Sequence, residues 1–422
     1  MKRQTIIFLE PMNSVLQYIH CAKRMGFTTV ALHSAPEKLR KTRYPYGVFY
    51  PSIDEIVPVE SWDTSDALFA QIERLQRTHD IVGTYGAMES TAVFNAELRR
   101  RLGLPGNDPE LMRLIIDKPR LRSRLRAEGL SRLAVMDGAR VLEAEGWPFP
   151  RAAYFKPTFG QASKCVQRCT SRADFLQALE RWRAHVEADP GSDYYDPYIT
   201  REKGFFLEEE HEGELLSVEA IVVDADPRTL GILGRNLYSR DQTVELGWVF
   251  PYPHPHAPRI LERARSILAR LGYQHGAVHM EMIVADDGEV ELIDLNPRFA
   301  GADVLLSVNQ AYDIEVERLI VESALGRCPP REPLEVKRYC STQSFFLPPE
   351  IDVFEDIEFP DDERITYKAC RIQKGSPVKR GRTEADVAGS YMVVGATLEE
   401  AVEHSRRLRD QVRVNEHHGI EY

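Results

Sequence analysis

The sequence has no apolar run long enough to cross a bilayer. Its longest, such as Thr5 to Leu9 and Val278 to Ala285, meet charge far short of the roughly 18 residues a spanning helix requires. A secretory leader is missing too: Lys2 and Arg3 precede an apolar stretch, but Glu10 and Pro11 end it after about five residues, so a cytoplasmic location is expected. Positive charge is short. With 54 Lys and Arg against 65 Asp and Glu, the net charge of −11 opposes general attraction to nucleic acid or anionic lipid, and neither is an expected partner. Cysteine is sparse. Six residues (Cys21, Cys165, Cys169, Cys328, Cys340, Cys370) are scattered without a CxxC pair, which excludes a disulfide scaffold; Cys165 and Cys169 have no second pair at zinc spacing. Glycine is absent where a dinucleotide fingerprint would need it: Glu10-Pro11-Met12-Asn13-Ser14 follows the first strand in place of GxGxxG, which argues against a Rossmann dehydrogenase.

What is present is a chain of 422 residues, 43% hydrophobic and 28% charged, the mixture of a soluble globular protein divided into two or three compact units. Thr5–Leu9, Thr28–Leu32 and Asp80–Thr84 read as strands, alternating with helical patterns over Ser14–Met25 and Trp62–Arg77, so the first unit is α/β with a parallel sheet. Helices are expected from Glu89 to Leu102, and a helical stretch from Pro109 into Leu125. Strands follow at Ala152–Lys156 and around Lys164–Gln167, then a helix from Ser171. Phe205–Glu209 and Leu216–Asp224 are expected to pair through a turn at Glu212-Gly213-Glu214. Thr229–Leu233, Val278–Val284 and Val290–Asp294 complete an antiparallel region, the last two joined at Asp286-Asp287-Gly288. After Cys328-Pro329-Pro330, strands at Tyr339–Leu347, Val378 and Tyr391–Val394 precede a terminal helix, Thr397–Val412.

Chemistry concentrates in three windows. Asp294 and Asn296 lie two apart and share a strand face, and the hairpin can bring Glu281 beside them. Two carboxylates and an amide oxygen suit Mg²⁺, which completes its shell with water and nucleotide phosphates; Arg298, beyond them, can pair with phosphate. Lys156 ends an apolar run, where its ammonium needs an anion, and the turn Thr158 to Ser163, with Gly160, offers backbone N–H groups as a phosphate nest. Lys118 is a second candidate cation. The acidic run Glu208-Glu209-Glu210, directly after apolar residues, can present edge backbone groups and carboxylates to an adenine and its ribose. His254 and His256 alternate with prolines and, like His417 and His418, are assigned no chemistry.

In order along nearly the whole chain, these windows resemble the ATP-grasp superfamily of carboxylate-amine ligases. Gly103-Leu104-Pro105-Gly106 with Asp117-Lys118 resembles the approach to the first nucleotide lysine. Phe155-Lys156-Pro157 with the Gly160–Ser163 turn resembles the second lysine and phosphate loop, Leu207-Glu208-Glu209 the adenine hinge, and Asp294-Leu295-Asn296-Pro297-Arg298 the metal signature, usually Glu-x-Asn-Pro-Arg. Val244-Glu245-Leu246-Gly247 before Pro251, and the ending Gly395 to Ala401, look most like the L-amino-acid ligase branch.

The resemblance implies a mixed α/β and α+β architecture: a Rossmann-like parallel-sheet domain (1–115), an ATP-grasp region (116–327) with a mobile lid near 151–202, an antiparallel catalytic sheet, and a C-terminal α+β unit (328–422). It implies ATP and Mg²⁺, with two ions and Mn²⁺ as a substitute, and small carboxylate and amine substrates, amino acids foremost; a homodimer is compatible with it. Lys118, Lys156 and Arg298 would neutralise phosphate charge, Arg298 would also steady an oxyanion, and Glu245 and Glu89 are candidates for touching substrate. Three departures stand out: Asp294 replaces Glu, the phosphate loop is glycine-poor, and Leu215 occupies a position where a ribose-binding Glu is frequent, leaving Glu214 as its substitute. The alternatives are a superfamily member of another substrate class, carboxylating or nucleotide-precursor, and an inactive nucleotide-binding regulator. The complete set Lys156, Glu281, Asp294, Asn296 and Arg298 speaks against the regulator.

Overall fold

Ile6 and Phe8 on one face of the first strand, Arg3–Leu9, and Ile7 and Leu9 on the other are all buried, so this strand is covered on both sides. The computed structural model describes residues 2–42, 46–60, 62, 66–159, 163, 165–188, 204–238, 241–301, 303–327, 334–378, 381, 386–416 and 418–422. Gly160, Lys164, Cys328 and His417 lie outside them, as do residues 189–203 of the expected lid. Arg3–Leu9 pairs in parallel with Thr28–His33 and His79–Gly86, and Glu55–Pro58 closes a four-stranded sheet at its far edge. One face packs on Leu68, Phe69, Ile72, Phe94 and Leu98. The other shares its core with helices Val15–Arg24, Val304–Tyr312 and Val316–Ala324 and with Ile221, Leu233 and Phe250 of a second, larger sheet.

That sheet is antiparallel and eight-stranded: Val290–Asn296, Gly276–Val284, Glu214–Val223, Asp226–Tyr238, Asp241–Phe250, Tyr339–Phe345, Gly389–Gly395 and Ile365–Cys370 from edge to edge. It pairs strands from both sides of residue 328, Asp241–Phe250 with Tyr339–Phe345, so the domain division we propose there separates segments of sequence and not hydrogen-bonded layers. Strand alternation turns Leu216, Val218, Ala220, Met280 and Met282 toward the helix Ala257–Leu271 and leaves Glu219, His279 and Glu281 on the opposite face. In Val290–Asn296 the register slips: Met282 faces Leu292, whereas Glu281 faces Asp294, leaving Ile293 as an extra residue. The bulge changes the phase. Without it Asp294 would share the buried face of Val290 and Leu292; with it, Leu295 enters the core while Asp294 and Asn296 face the same way as Glu281.

A smaller four-stranded sheet, Val135–Asp137, Phe205–Glu209, Ala153–Pro157 and Gln167–Cys169, packs on helix Arg172–Ala188 through Phe155, Phe175, Trp182 and Leu207. Three expectations are corrected here. The strand expected around Lys164–Gln167 begins only at Gln167, because Ser163 and Cys165 take positive φ (53° and 60°), a turn geometry. The helix expected from Pro109 to Leu125 is two, Pro109–Ile116 and Lys118–Ala127. Asp117 breaks it: with a non-helical backbone its carboxylate caps the Arg120 N–H, and Pro119 follows in the first turn. Phe205–Glu209 and Glu214–Val223 do not form a hairpin either; they belong to different sheets, so residues 210–213 are the crossing between them.

Gly213 makes this crossing possible. Its φ of 152° is a conformation L side chains avoid, and a Cβ there would stand 2.3 Å from the Val284 carbonyl oxygen. Gly213→Ala should lower stability by about 2–4 kcal/mol, measured as a lower denaturation midpoint. An unchanged midpoint would show that the crossing can relax.

Candidate active site

The two larger sheets and the small one enclose a cavity of about 1100 Å³. It is lined by Lys118, Lys156, Ser163, Glu208, Glu209, Glu89, Glu245, Glu281, Asp294, Asn296 and Arg298, so the sequence windows from distant parts of the chain do converge. Gly160 lies outside the described residues. Glu214 is a correction: alternation puts Leu215 on the cavity side, and the Glu214 carboxylate turns outward, 3.4 Å from His254 Nε2.

Lys118 stands at the first position of its helix because Asp117 starts that helix, and its Nζ donates to Asp294 Oδ2 at 2.5 Å. It is therefore not a solvated helix lysine. Lys156 leaves the Ala153–Pro157 strand toward Glu208 on the neighbouring strand, Nζ to Oε1 2.6 Å, while Arg122 Nε holds the other oxygen at 2.5 Å. Glu208 is almost fully buried; burial raises its pKa, but Arg122 and Lys156 outweigh that and hold the group ionised, below the usual range. The carboxylate of Glu209 accepts from the Ala134 N–H at 3.2 Å, and Glu210 forms a bidentate pair with Arg168 at 2.6 and 2.7 Å, which ties the hinge to the small sheet.

Glu281 lies directly across from Asp294, and His279 across from Asn296. Glu281 Oε1 receives Arg235 Nη2 at 3.2 Å and faces His279 Nε2 at 3.3 Å. Burial opposes its ionisation, yet Arg235, His279 and Lys118 push its pKa well below the carboxylate range. His279 Nδ1 sits 2.5 Å from the buried Glu219; burial would lower its pKa, but Glu219 and Glu281 raise it to about 9. Arg235 also pairs with Glu245. Arg298 Nη2 is 2.5 Å from Glu89 Oε1, and despite burial this partner keeps the guanidinium charged.

Arg235, His279, Glu219 and Arg122 were missed by sequence reasoning. His279 and Glu219 carry a legible signal, since each lies two residues from a polar or apolar position of known face; Arg235 does not, because the sequence pattern ends its strand at Leu233 where the structure continues to Tyr238. His211 Nε2, lining the cavity, is buried with no hydrogen-bond partner among the described residues.

The donor set fits a hard divalent cation. Among the described residues no three His, Cys, Asp or Glu side chains gather into a cage. Two carboxylates across one strand pair, with Asn296 beside them, supply only part of an oxygen shell, the partial set Mg²⁺ takes when phosphates complete it. No helix among the described residues is long and apolar enough to cross a membrane.

Comparison with known proteins bears on the family and the fold. Residues 151–305 match the ATP-grasp domain family and residues 19–106 the ATP-grasp N-terminal domain family. The chain is 22% identical over 342 residues to the uncharacterized protein y4rH of Sinorhizobium fredii, covering 77% of this chain and 64% of that one. It is 21% identical over 279 residues to alanine–anticapsin ligase of Bacillus amyloliquefaciens, covering 60% and 56%. The chain thus spans less than two thirds of the length of these curated relatives. The L-amino acid ligase crystal structure from Bacillus licheniformis superposes with a TM-score of 0.80 at 17% identity, over 99% of this chain and 100% of that one, a likeness of fold.

Proposed function

Because the chain belongs to the ATP-grasp superfamily, we propose that it is an ATP-dependent carboxylate-amine ligase that joins amino acids or related small acids through an amide bond. One observation carries this reading: two lysines, an acidic pair with an amide, and an arginine, drawn from separate segments, face a single cavity. In the first step a substrate carboxylate oxygen attacks the γ-phosphorus of ATP, and ADP leaves as the acyl phosphate forms. In the second an amine nitrogen attacks the acyl carbon, phosphate leaves, and the amine's surplus proton is lost. No covalent protein nucleophile is needed, since such transfers depend on alignment and charge neutralisation.

Lys118 and Lys156 are assigned to the triphosphate and the Leu207-Glu208-Glu209 hinge to the base. Glu281, Asp294 and Asn296 are assigned to Mg²⁺, which when bound would neutralise phosphate charge; two ions, with Mn²⁺ as a substitute, belong to the same assignment. Arg298, oriented by Glu89, is assigned to the substrate carboxylate and then the oxyanion, with Glu245 at the substrate end. The small sheet and helix Arg172–Ala188 are assigned the cover that keeps water from the acyl phosphate. Its cytoplasmic placement and small-molecule partners belong to the same proposal.

The test is incubation with Mg²⁺, ATP and amino acids singly and in pairs, with products identified by mass. Pair-dependent ADP release and a condensed product are expected. Release that needs bicarbonate and no amino acid would instead mark a carboxylating enzyme.

A further inference from the structure

Among the described residues, five cationic side chains of Lys or Arg line the cavity: Lys118, Lys156, Arg235, Arg298 and Arg371. The first four each meet a carboxylate of the cavity wall at 3.2 Å or closer. Arg371 does not. It follows the strand Ile365–Cys370, at the opposite edge of the eight-stranded sheet from Asp294, and its backbone is tied down by the bond from its N–H to Ala388 O at 2.8 Å. One nitrogen, Nη2, lies 3.4 Å from Asp303 Oδ2. Asp303 is fully occupied: Oδ1 accepts from Tyr46 and from Tyr367 (2.9 Å), and Oδ2 accepts from Ser390 (2.9 Å) as well as Arg371. A carboxylate oxygen has two lone pairs, so Asp303 has no place for a second bond from the guanidinium. Nε and Nη1 have no hydrogen bond or ion pair among the described residues, and the side chain is 37% exposed, toward a cavity wall that also carries Ser344, Gln373 and Ser376. Asp303 thus aims a planar fork into the cavity without using it.

We propose that Arg371 binds the free carboxylate of the amine substrate, so that the nucleophile is an amino acid and not a simple amine. The inference rests on the ligase reading. Its chemistry follows from the reaction: the donor's carboxylate is consumed at the γ-phosphorus, so the remaining free carboxylate in an amino-acid pair belongs to the attacking molecule. Two parallel N–H bonds fix that carboxylate's plane, which a lysine ammonium would not do. The cavity exceeds the size usual for one small ligand, leaving room for this second substrate beside a nucleotide.

The test is calorimetric binding of the twenty L-amino acids and their carboxamides to the full chain with Mg²⁺ and ADP present. Amino acids that bind should do so about 10- to 100-fold more tightly than their amides. Arg371→Gln should reduce the ratio to about threefold or less, and Arg371→Lys should restore part of it, with ADP affinity held. Tyr367→Phe, which vacates one lone pair on Asp303 Oδ1 and lets the guanidinium take a second bond there, should lower the ratio less than Arg371→Gln does. A wild-type protein without the preference, an Arg371→Gln variant that keeps it, or an equal loss in Tyr367→Phe overturns the proposal. Failure of the ligase reading is distinct: no ADP release from any pair, while the carboxylate preference persists and depends on Arg371.

Discussion

Asp294→Ala should lower ADP release by about 10³-fold, the scale expected when a group stabilising transition-state charge is removed, while the protein stays folded. The two halves of this expectation have separate causes. Asp294 places a carboxylate directly opposite Glu281, so under the proposed assignment its loss would leave one carboxylate and an amide to hold Mg²⁺ against water. Its only side-chain cationic partner among the described residues is Lys118, and that pair is about one-fifth exposed on each side. Breaking such a largely buried pair costs about 2–3 kcal/mol, within the stability of an ordinary folded domain, so the fold is expected to hold. Asn296→Ala should fall in the same direction. The deciding measurement is ADP release beside a melting curve taken with and without Mg²⁺ and ADP. Near-normal turnover in both variants would remove these residues from the metal assignment. Loss of the folded baseline would move Asp294 from chemistry to structure.

Why Asp294 was legible and Glu214 was not is a matter of what sets a side chain's direction. Asp294 and Asn296 belong to a short strand whose hairpin is announced by Asp286-Asp287-Gly288, so their pairing with Glu281 follows from local pattern. The bulge at Ile293 that gives them the right face leaves no sequence mark, and the correct reading did not depend on seeing it. Glu214 was placed by analogy with a neighbouring position, and period-two alternation sends adjacent residues to opposite faces. The 205–209 and 214–223 strands were read as a hairpin because a glycine lay between them, whereas each has a better partner far away in sequence: Phe205–Glu209 pairs with Ala153–Pro157, and Glu214–Val223 with Gly276–Val284. Long-range pairing of this kind decides the crossing at Gly213, and with it the hinge. The helix Ala257–Leu271 went unread although Ile260, Ala264, Ile267 and Leu268 trace one buried face; its signal was present at helical spacing. Arg371 and Asp303 had no such signal, since their meeting depends on three segments, around Tyr46, Ser390 and Tyr367, closing on one carboxylate.

Lys118→Met should weaken nucleotide binding and cut kcat/KM by about 10²-fold or more, as loss of a phosphate-neutralising cation does, yet it should strengthen divalent-ion binding to the nucleotide-free protein. The second effect follows from the 2.5 Å bond between Lys118 and Asp294. Without nucleotide, the ammonium occupies the same carboxylate that the cation needs, so metal entry has to displace it. Lys156 is held in the same way by Glu208, although there the second oxygen keeps Arg122 and the carboxylate never loses its counter-charge. Under the proposed assignment a triphosphate would give Lys118 another anion, Asp294 would then be released to the cation, and each ligand would favour the other by one and the same factor, as linkage requires. In the wild type, Mn²⁺ titrated with ADP present should therefore bind more tightly than Mn²⁺ alone by about 10-fold or more beyond its attraction to free ADP, an ordinary coupling magnitude. In Lys118→Met that factor should collapse toward one, because a methionine of similar length fills the space without contesting Asp294. Mn²⁺ binding followed by electron paramagnetic resonance, with and without ADP, reads both quantities directly. If Mn²⁺ affinity in the nucleotide-free variant equals that of the wild type, Lys118 does not compete for Asp294, and the exchange of partners at the head of the Lys118–Ala127 helix is not how the site loads.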